Sequence, residues 1–192
     1  MKMQFPKKFS FIDDYELVPG VDAKGRTRQT VRYIGPYHWF VDGEGEVKRR
    51  LIAIRALTAG AVLLTLVAMF VPHGADNVLY VMGIMMLNLF PLAYIIAGAA
   101  RLPFKIEPMK RDSYAYSIKR MQTCALGLLL ITAAGLIGNI CHWIFVGGNF
   151  SFGDVIFIVC ALGSCCICYI IYHQLKSIKT ELKPNDSVPK RD

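Results

Sequence analysis

Four long apolar runs, separated by short polar stretches, constrain this chain more than any motif in it. They cover approximately residues 51–72, 78–100, 121–146 and 152–175. A helix of about 20 mostly apolar residues is long enough to cross the hydrocarbon core of a bilayer. Of the 192 residues, 54% are hydrophobic, which is more than an ordinary soluble domain contains. The runs therefore predict an all-α transmembrane fold, a four-helix membrane bundle made of two helical hairpins.

The basic residues are distributed unevenly along the chain. Of the 22 Lys and Arg, eleven lie at the N-terminal end, counting Arg55 near the start of the first run, six lie in 101–120, and five follow the last run. The two other connections, 73–77 and 147–151, contain neither residue type. Because Lys and Arg flank membrane helices on the cytoplasmic side, both termini and the loop 101–120 are predicted to be cytoplasmic. The net charge of +8 is thus explained by topology, and no nucleic-acid partner is expected.

The chain divides into three regions. Residues 1–48 are polar and lack the apolar core of a signal peptide, so the first run is expected to be an uncleaved anchor. A strand at 15–21 weakened by Pro19, clean alternation over 26–34 and a strand at 37–41 between turn residues predict a small cytoplasmic β-hairpin or meander there. Such a unit is at the lower limit of independent stability, so it should lean on the membrane, the central loop or another subunit. The transmembrane domain covers 49–176, and the tail 177–192 is predicted to be cytoplasmic and partly disordered.

Polar residues inside membrane helices are the best indicators of function. Asn88 and Pro91 lie near the middle of the second run, where the proline should kink the helix near Leu87. Asn139 lies in the outer half of the third run. These residues either serve helix packing or form a substrate or ion site at a broken helix. Both interpretations remain open from the sequence.

Histidine and cysteine residues offer weaker candidates for chemistry. A His73–His142 pair could ligate a metal or a haem, but nothing in the sequence fixes the geometry, and anchoring at the membrane interface is the favoured interpretation of both residues. Cys165 and Cys168 have C-x-x-C spacing, yet they lie at mid-membrane, where a thiolate is disfavoured. Cys160, Gly163, Ser164 and Cys168 instead form a stripe of small residues typical of helix packing. No metal site and no cofactor are predicted.

The function predicted from these features is that of a non-enzymatic, multi-pass integral membrane protein. It would be an accessory or structural subunit of the plasma (inner) membrane that docks a protein partner, or itself, through a basic cytoplasmic face. Anionic lipid head groups are a further expected partner of that face. The residues expected to face the partner or the lipid are Arg28, Arg32, Trp39, Lys110, Arg111, Tyr114, Tyr116, Lys119 and Arg120.

Two alternatives belong to other classes of protein. The first is a small oligomeric transporter or channel with a midplane site around Asn88, Pro91 and Asn139. The second is an enzyme that acts on lipids or membrane thiols, which would require a water-accessible cavity reaching Cys165–Cys168 or His142.

Overall fold

Four helical stretches long and apolar enough to cross a membrane dominate the computed structural model, which describes residues 11–21, 27–74, 79–146 and 150–185. The first is α1 (Glu44–Phe70), and the second consists of α2 (Leu79–Leu87) and α3 (Leu89–Arg101). The third is formed by α4 (Arg111–Tyr114), a π-helical turn (Ala115–Lys119) and α5 (Arg120–Val146), which follow one another without interruption. The fourth is α6 (Phe152–Ser177). The four predicted spans are therefore confirmed as helices of membrane-spanning length.

The bundle core lies where these helices face one another. Helix α6 packs against both α1 and α5, and α3 packs against α5. The core contains Leu51, Ile54, Ile95, Leu128 and Ile171, all at most 2% exposed. Small residues allow α1 and α6 to approach closely, since a Cβ on Gly163 would lie 2.9 Å from a methyl group of Leu64. The packing role predicted for the small-residue stripe of α6 is confirmed.

The second span is interrupted at Asn88, as its proline predicts. Pro91 has no N–H group to donate to the carbonyl of Leu87, one turn earlier, so the regular hydrogen-bond pattern ends there. The N–H of Asn88 donates instead to the carbonyl of Met85 at 3.1 Å, a tighter turn than that of an α-helix. Helix α3 then begins at Leu89.

The β-structure differs from a consecutive meander. Strands β1 (Tyr15–Val21) and β2 (Thr27–Tyr33) form an antiparallel hairpin, as predicted. Strand β3 (Tyr37–Phe40) does not join them. It pairs on one side with β4 (Met109–Lys110) of the central loop and on the other with β5 (Thr180–Lys183) of the tail.

The turn after β2 explains why β3 leaves the hairpin. The N–H groups of Ile34 and Gly35 both donate to the carbonyl of Asp14, and a Cβ on Gly35 would overlap the Asp14 side chain. Pro36 follows and cannot donate to a sheet. The chain is thus turned away at Gly35 and is free to pair elsewhere.

The tail contains more order than its composition suggests. Strand β5 begins three residues after α6 ends, and the Asn185 amide donates to the carbonyl of Tyr33 at 3.1 Å. Residues 180–185 of the tail are therefore ordered, because pairing with β3 provides partners that the isolated sequence does not reveal. The disorder expected beyond about Lys183 stays a prediction. Residues 186–192 lie outside the described part of the chain.

The two ends of the bundle have different connections. At one end, termed the sheet end, lie the start of α1, the end of α3, the start of α4 and the end of α6, together with both sheets. At the other end, termed the distal end, the segment after α1 meets the start of α6: the N–H of Gly74 donates to Asp154 Oδ1 at 3.0 Å. Both described termini and the central loop thus share the sheet end.

Candidate functional site

The central loop is held in place by the three-stranded sheet at the sheet end. Tyr37 of β3 is opposite Lys110 on one side and Lys183 on the other, so three segments far apart in sequence meet at one residue. The N–H of Val41 extends this contact by donating to the carbonyl of Lys179 at 3.1 Å. Strand pairing therefore makes the loop 101–120 part of a folded surface formed by three segments of the chain.

The β1–β2 hairpin is attached to the start of α4 by side-chain hydrogen bonds. Tyr15 Oη donates to Asp112 Oδ2 at 2.6 Å. The N–H of Arg111 donates to Tyr33 Oη at 3.1 Å, and that hydroxyl donates in turn to the carbonyl of Pro36 at 2.7 Å. These bonds join the hairpin, the turn after it and the central loop into one unit.

The ionisable groups of this junction respond to their partners and to burial. The hydrogen bond that Tyr15 donates to Asp112 raises the pKa of the Tyr15 phenol, and burial adds to that effect. Burial raises the pKa of Asp14, although the Arg111 guanidinium at 3.9 Å opposes the shift. Burial also raises the pKa of Tyr33, which the bond from the Arg111 N–H partly offsets. The two tyrosines therefore remain neutral donors at physiological pH.

His38 lies in the middle of the three-stranded sheet. Its ring stacks on Tyr114 with a centroid distance of 3.9 Å and an angle of 18°, and its Nδ1 lies 3.3 Å from Thr180 Oγ1. Burial lowers the pKa of His38, and the positive charges of Lys119 and Arg111 lower it further. The imidazole is thus held neutral where the three segments meet.

The residues predicted to face a partner or lipid divide into two groups. Arg32, Lys110, Tyr116, Lys119 and Arg120 are exposed. Trp39, Arg111 and Tyr114 are half-buried, and the last two bind Tyr33 and His38 within the fold. The side chain of Arg28 lies outside the described part of the structure.

Cations at the sheet end lie over aromatic rings. Arg120 Cζ is 3.7 Å from the centroid of Tyr94, and Arg101 Cζ is 5.8 Å from that of Tyr116. Lys110 Nζ lies 5.3 Å from the Tyr33 centroid. A ring under a cation attracts it electrostatically and restricts its motion, while its outer side stays available. The positive charges of this surface are therefore partly pre-oriented.

The residues of the predicted midplane site are buried, but the structure does not bring them all together. Asn88 is fully buried: Thr132 Oγ1 of α5 donates to its Oδ1 at 3.3 Å, and its Nδ2 lies 3.8 Å from Met85 Sδ. Asn139 lies two helical turns beyond Thr132 and is 4% exposed, and its Nδ2 has no hydrogen-bond partner among the described residues. Pro91 is buried against α5 near Gly127.

Several polar contacts were not anticipated from the sequence. Thr65 and Ser164 share a buried hydrogen bond of 2.8 Å between α1 and α6. Arg55, near the start of the first span, donates to the carbonyls of Ala99 and Leu102 at the end of α3 and lies over Phe104. It therefore satisfies backbone groups at a helix C-terminus, where a cation is also favoured by the helix dipole.

At the distal end, Ser151 and Asp154 form a reciprocal cap at the start of α6. Ser151 Oγ accepts from the N–H of Asp154 at 3.3 Å, and the N–H of Ser151 donates to Asp154 Oδ2 at 2.8 Å. The order Ser-Phe-Gly-Asp before an apolar run is the sequence pattern of such a cap, so this contact was readable from the sequence. The ring of His73, suggested above as half of a metal-binding or haem-binding pair, stacks on Phe157 with a centroid distance of 4.4 Å.

Comparison of the chain with known protein families, with curated proteins and with solved structures finds no match.

Proposed function

We propose that the chain is a non-enzymatic integral membrane subunit that docks an acidic partner protein through its sheet end. Its four helices span the plasma (inner) membrane, with both termini and the loop 101–120 in the cytoplasm. The orientation is supported by the basic residues, which collect at the sheet end, while 73–77 and 147–151 contain none.

One observation carries the docking proposal. The hairpin presents Leu17 and Val31 directly opposite each other across the two strands, and these residues are 63% and 65% exposed. The neighbouring pair on the same face, Tyr15 and Tyr33, packs against the central loop. The exposed cation Lys110 borders this face, with its Nζ 5.3 Å from the Tyr33 ring centroid. Arg32 projects from the opposite face of β2, where it is paired with Glu16 of β1. An apolar pair beside an exposed cation has the composition of a docking patch: an apolar centre with a charged margin.

The basic residues nearer the helices suit a different partner. Arg101 is the last residue of α3 and lies over Tyr116, and Arg120 is the first residue of α5 and lies over Tyr94. Tyrosine is common at the level of lipid head groups, and juxtamembrane Arg attracts anionic lipid. We assign these residues to lipid phosphates and the hairpin side of the surface to protein.

Charge reversal at two positions distinguishes binding at the docking surface from attraction to the overall positive charge of the sheet end. The test variant is Arg32→Glu with Lys110→Glu, and the control is Lys105→Glu with Lys179→Glu, two exposed cations elsewhere at the sheet end. Native mass spectrometry of gently extracted wild type and control should show a stoichiometric second subunit that the test variant loses. A wild-type protein that is only monomeric, with no co-purifying subunit, would contradict the proposal.

The orientation of the chain in the membrane is tested separately, by labelling introduced cysteines from outside the cell. A membrane-impermeant maleimide should label Phe150→Cys in intact cells, because that residue lies at the distal end and is 50% exposed. It should label Lys110→Cys only after the cells are opened. The reverse order of labelling would overturn the cytoplasmic assignment of the sheet end.

A second candidate function, a small oligomeric transporter or channel, is favoured by the polar groups at the helix break. A buried Asn88 bonded to Thr132, and the buried Nδ2 of Asn139, are costly in a membrane unless they are used. Solute flux into proteoliposomes that is present in wild type and lost in Asn88→Leu would support this function. Equal flux in the wild type and in Asn88→Leu would contradict the transporter or channel function.

A further inference from the structure

A methionine-lined cavity lies near the distal end of the bundle, between α1 and α2. Its volume is about 210 Å³. Four of the chain's eight methionines line it, Met69 from α1 and Met82, Met85 and Met86 from α2, together with His73. Residues 82, 85 and 86 are spaced i, i+3 and i+4, so they share one face of the helix. The sequence spacing and the fold thus bring four methionine side chains to the lining of one cavity.

The methionines are not needed there simply to fill a core. Met82 and Met86 are 51% and 45% exposed, and only Met85 is buried among them. Met85 is also the residue whose sulfur lies near the Asn88 amide. The cavity therefore opens at the helix surface on one side and is bounded on the other by Met85, whose sulfur lies 3.8 Å from the Asn88 amide nitrogen.

The lining defines the class of ligand. Among the described residues that line the cavity, none is Asp or Glu, so Mg²⁺ and Ca²⁺ would lack their oxygen ligands. Thioethers are soft, neutral donors that favour Cu(I) and need no deprotonation to bind. A monovalent ion also costs less to bring into an apolar site than a divalent one, because solvation energy rises with the square of the charge.

His73 adds a nitrogen to the lining in a fixed orientation. Its Nδ1 lies 3.0 Å from the carbonyl of Val71, which can only accept, so Nδ1 carries the proton. The ring is held flat against Phe157, with an angle of 15° between the planes. The next residue, Gly74, donates its N–H to the buried carboxylate of Asp154, which anchors this segment.

We propose that this cavity binds a soft monovalent metal cation of the Cu(I) class through the thioethers of Met69, Met82 and Met86. The proposal stands independently of the docking function, because it concerns the opposite end of the bundle.

The test uses the full-length protein in nanodiscs, with exposed thiols blocked by N-ethylmaleimide because the chain has six free cysteines. The probes are Cu(I), kept reduced with ascorbate under nitrogen, and Ag(I), which needs no reductant. The test variant is Met82→Leu with Met86→Leu, which preserves apolar volume. The control is Met109→Leu with Met121→Leu, which changes two buried methionines at the sheet end.

Wild type and control should bind one Cu(I) per chain in competition with a chromogenic chelator. The test variant should bind at least about tenfold more weakly, since even the loss of groups that only orient ligands costs that much. Equal affinity in the test variant and the wild type would overturn the proposal, as would binding of Zn²⁺ at the same site.

A second measurement identifies the site itself and does not depend on the variants. Oxidation of Met82 and Met86 by hydrogen peroxide, followed by peptide mass spectrometry, should slow in the presence of Ag(I). Oxidation of Met1 and Met3 should not change. Absence of protection at Met82 and Met86 would refute the site.

Discussion

The two ends of this bundle are closed by different means. At the sheet end, segments far apart in sequence are joined by strand pairing and by side-chain hydrogen bonds, such as that from Tyr15 to Asp112. At the distal end, two chain segments meet by close backbone approach: a Cβ on Gly153 would overlap the carbonyl oxygen of Pro72. Strand pairing and several side-chain hydrogen bonds hold the sheet end, whereas the distal end combines the hydrogen bond from Gly74 to Asp154 with a backbone approach that only glycine permits.

This difference has consequences for stability and for local motion. Close backbone packing cannot adapt to added atoms, so the distal end should be sensitive to single substitutions. A polar junction can lose one bond and keep the rest, so the sheet end should open locally without unfolding the helices. The sheet end is thus the better place for a surface that adapts to a partner.

The largest effect is expected for Gly153→Ala. The added methyl group would force α6 away from the segment that follows α1, so we expect a loss of about 3 kcal/mol in the free energy of unfolding. Unfolding the detergent-solubilised protein with increasing SDS measures this loss of stability.

Gly83→Ala is the matched control, because nothing lies within 4 Å of the position of its added Cβ. Alanine is also a better helix former than glycine by about 0.5–1 kcal/mol, so this variant should be unchanged or slightly more stable. If Gly153→Ala were as stable as Gly83→Ala, the close approach at the distal end would not contribute to closing the bundle.

The next effect, at the sheet end, is expected for Tyr15→Phe. Loss of the hydrogen bond to Asp112 should weaken attachment of the hairpin by about 1.5 kcal/mol, because the acceptor is a carboxylate. Hydrogen exchange should show faster exchange in β1 and β2 with unchanged protection in α5 and α6. Tyr116→Phe, on an exposed residue, serves as control. Equal loss of protection in the helices would show that the sheet end is not a separately opening unit.

The parts of the fold that follow from local chemistry were predictable. Bilayer thickness fixes the length of an apolar helix, so the four spans were readable from hydropathy alone. The break at Asn88 followed from the missing N–H of Pro91. Strands β1, β2 and β3 followed from alternation of residue types.

The partners of those strands were not predictable, because pairing depends on segments that are far apart in sequence. Two residues of β4 and four of β5 carry no pattern long enough to indicate a strand, and both form only because β3 offers its edges. The exposed cations of the candidate surface were identified from their positions, but the roles of Tyr114 and Arg111 within the fold were not. Likewise, hydropathy cannot show that the sulfurs of α1 and α2 meet in one cavity.

Between the two ends, removing the Thr65–Ser164 hydrogen bond measures how much a polar contact inside the bundle contributes to the free energy of unfolding. Hydrogen bonds between membrane helices contribute about 0.6 kcal/mol on average, so Thr65→Val and Ser164→Ala should each have a small effect. A double-mutant cycle by SDS unfolding isolates the pair, with a coupling energy near that value. A coupling of zero would mean that close packing of α1 and α6 alone holds these helices together.

The smallest effect is a pH dependence confined to the sheet end. His38 has a pKa lowered by burial and by the charges of Lys119 and Arg111, so the unfolded sheet binds a proton more readily than the folded one. Stability is therefore fully present above the unfolded pKa of about 6.5 and decreases as the pH falls from there towards the folded pKa. Hydrogen exchange in β3 and β5, corrected for the intrinsic rate, should lose protection between pH 7.5 and 5.5, and α6 should not. His38→Gln should abolish this difference, since its amide does not titrate; a wild-type dependence that persists in this variant would assign the effect to another group of the junction.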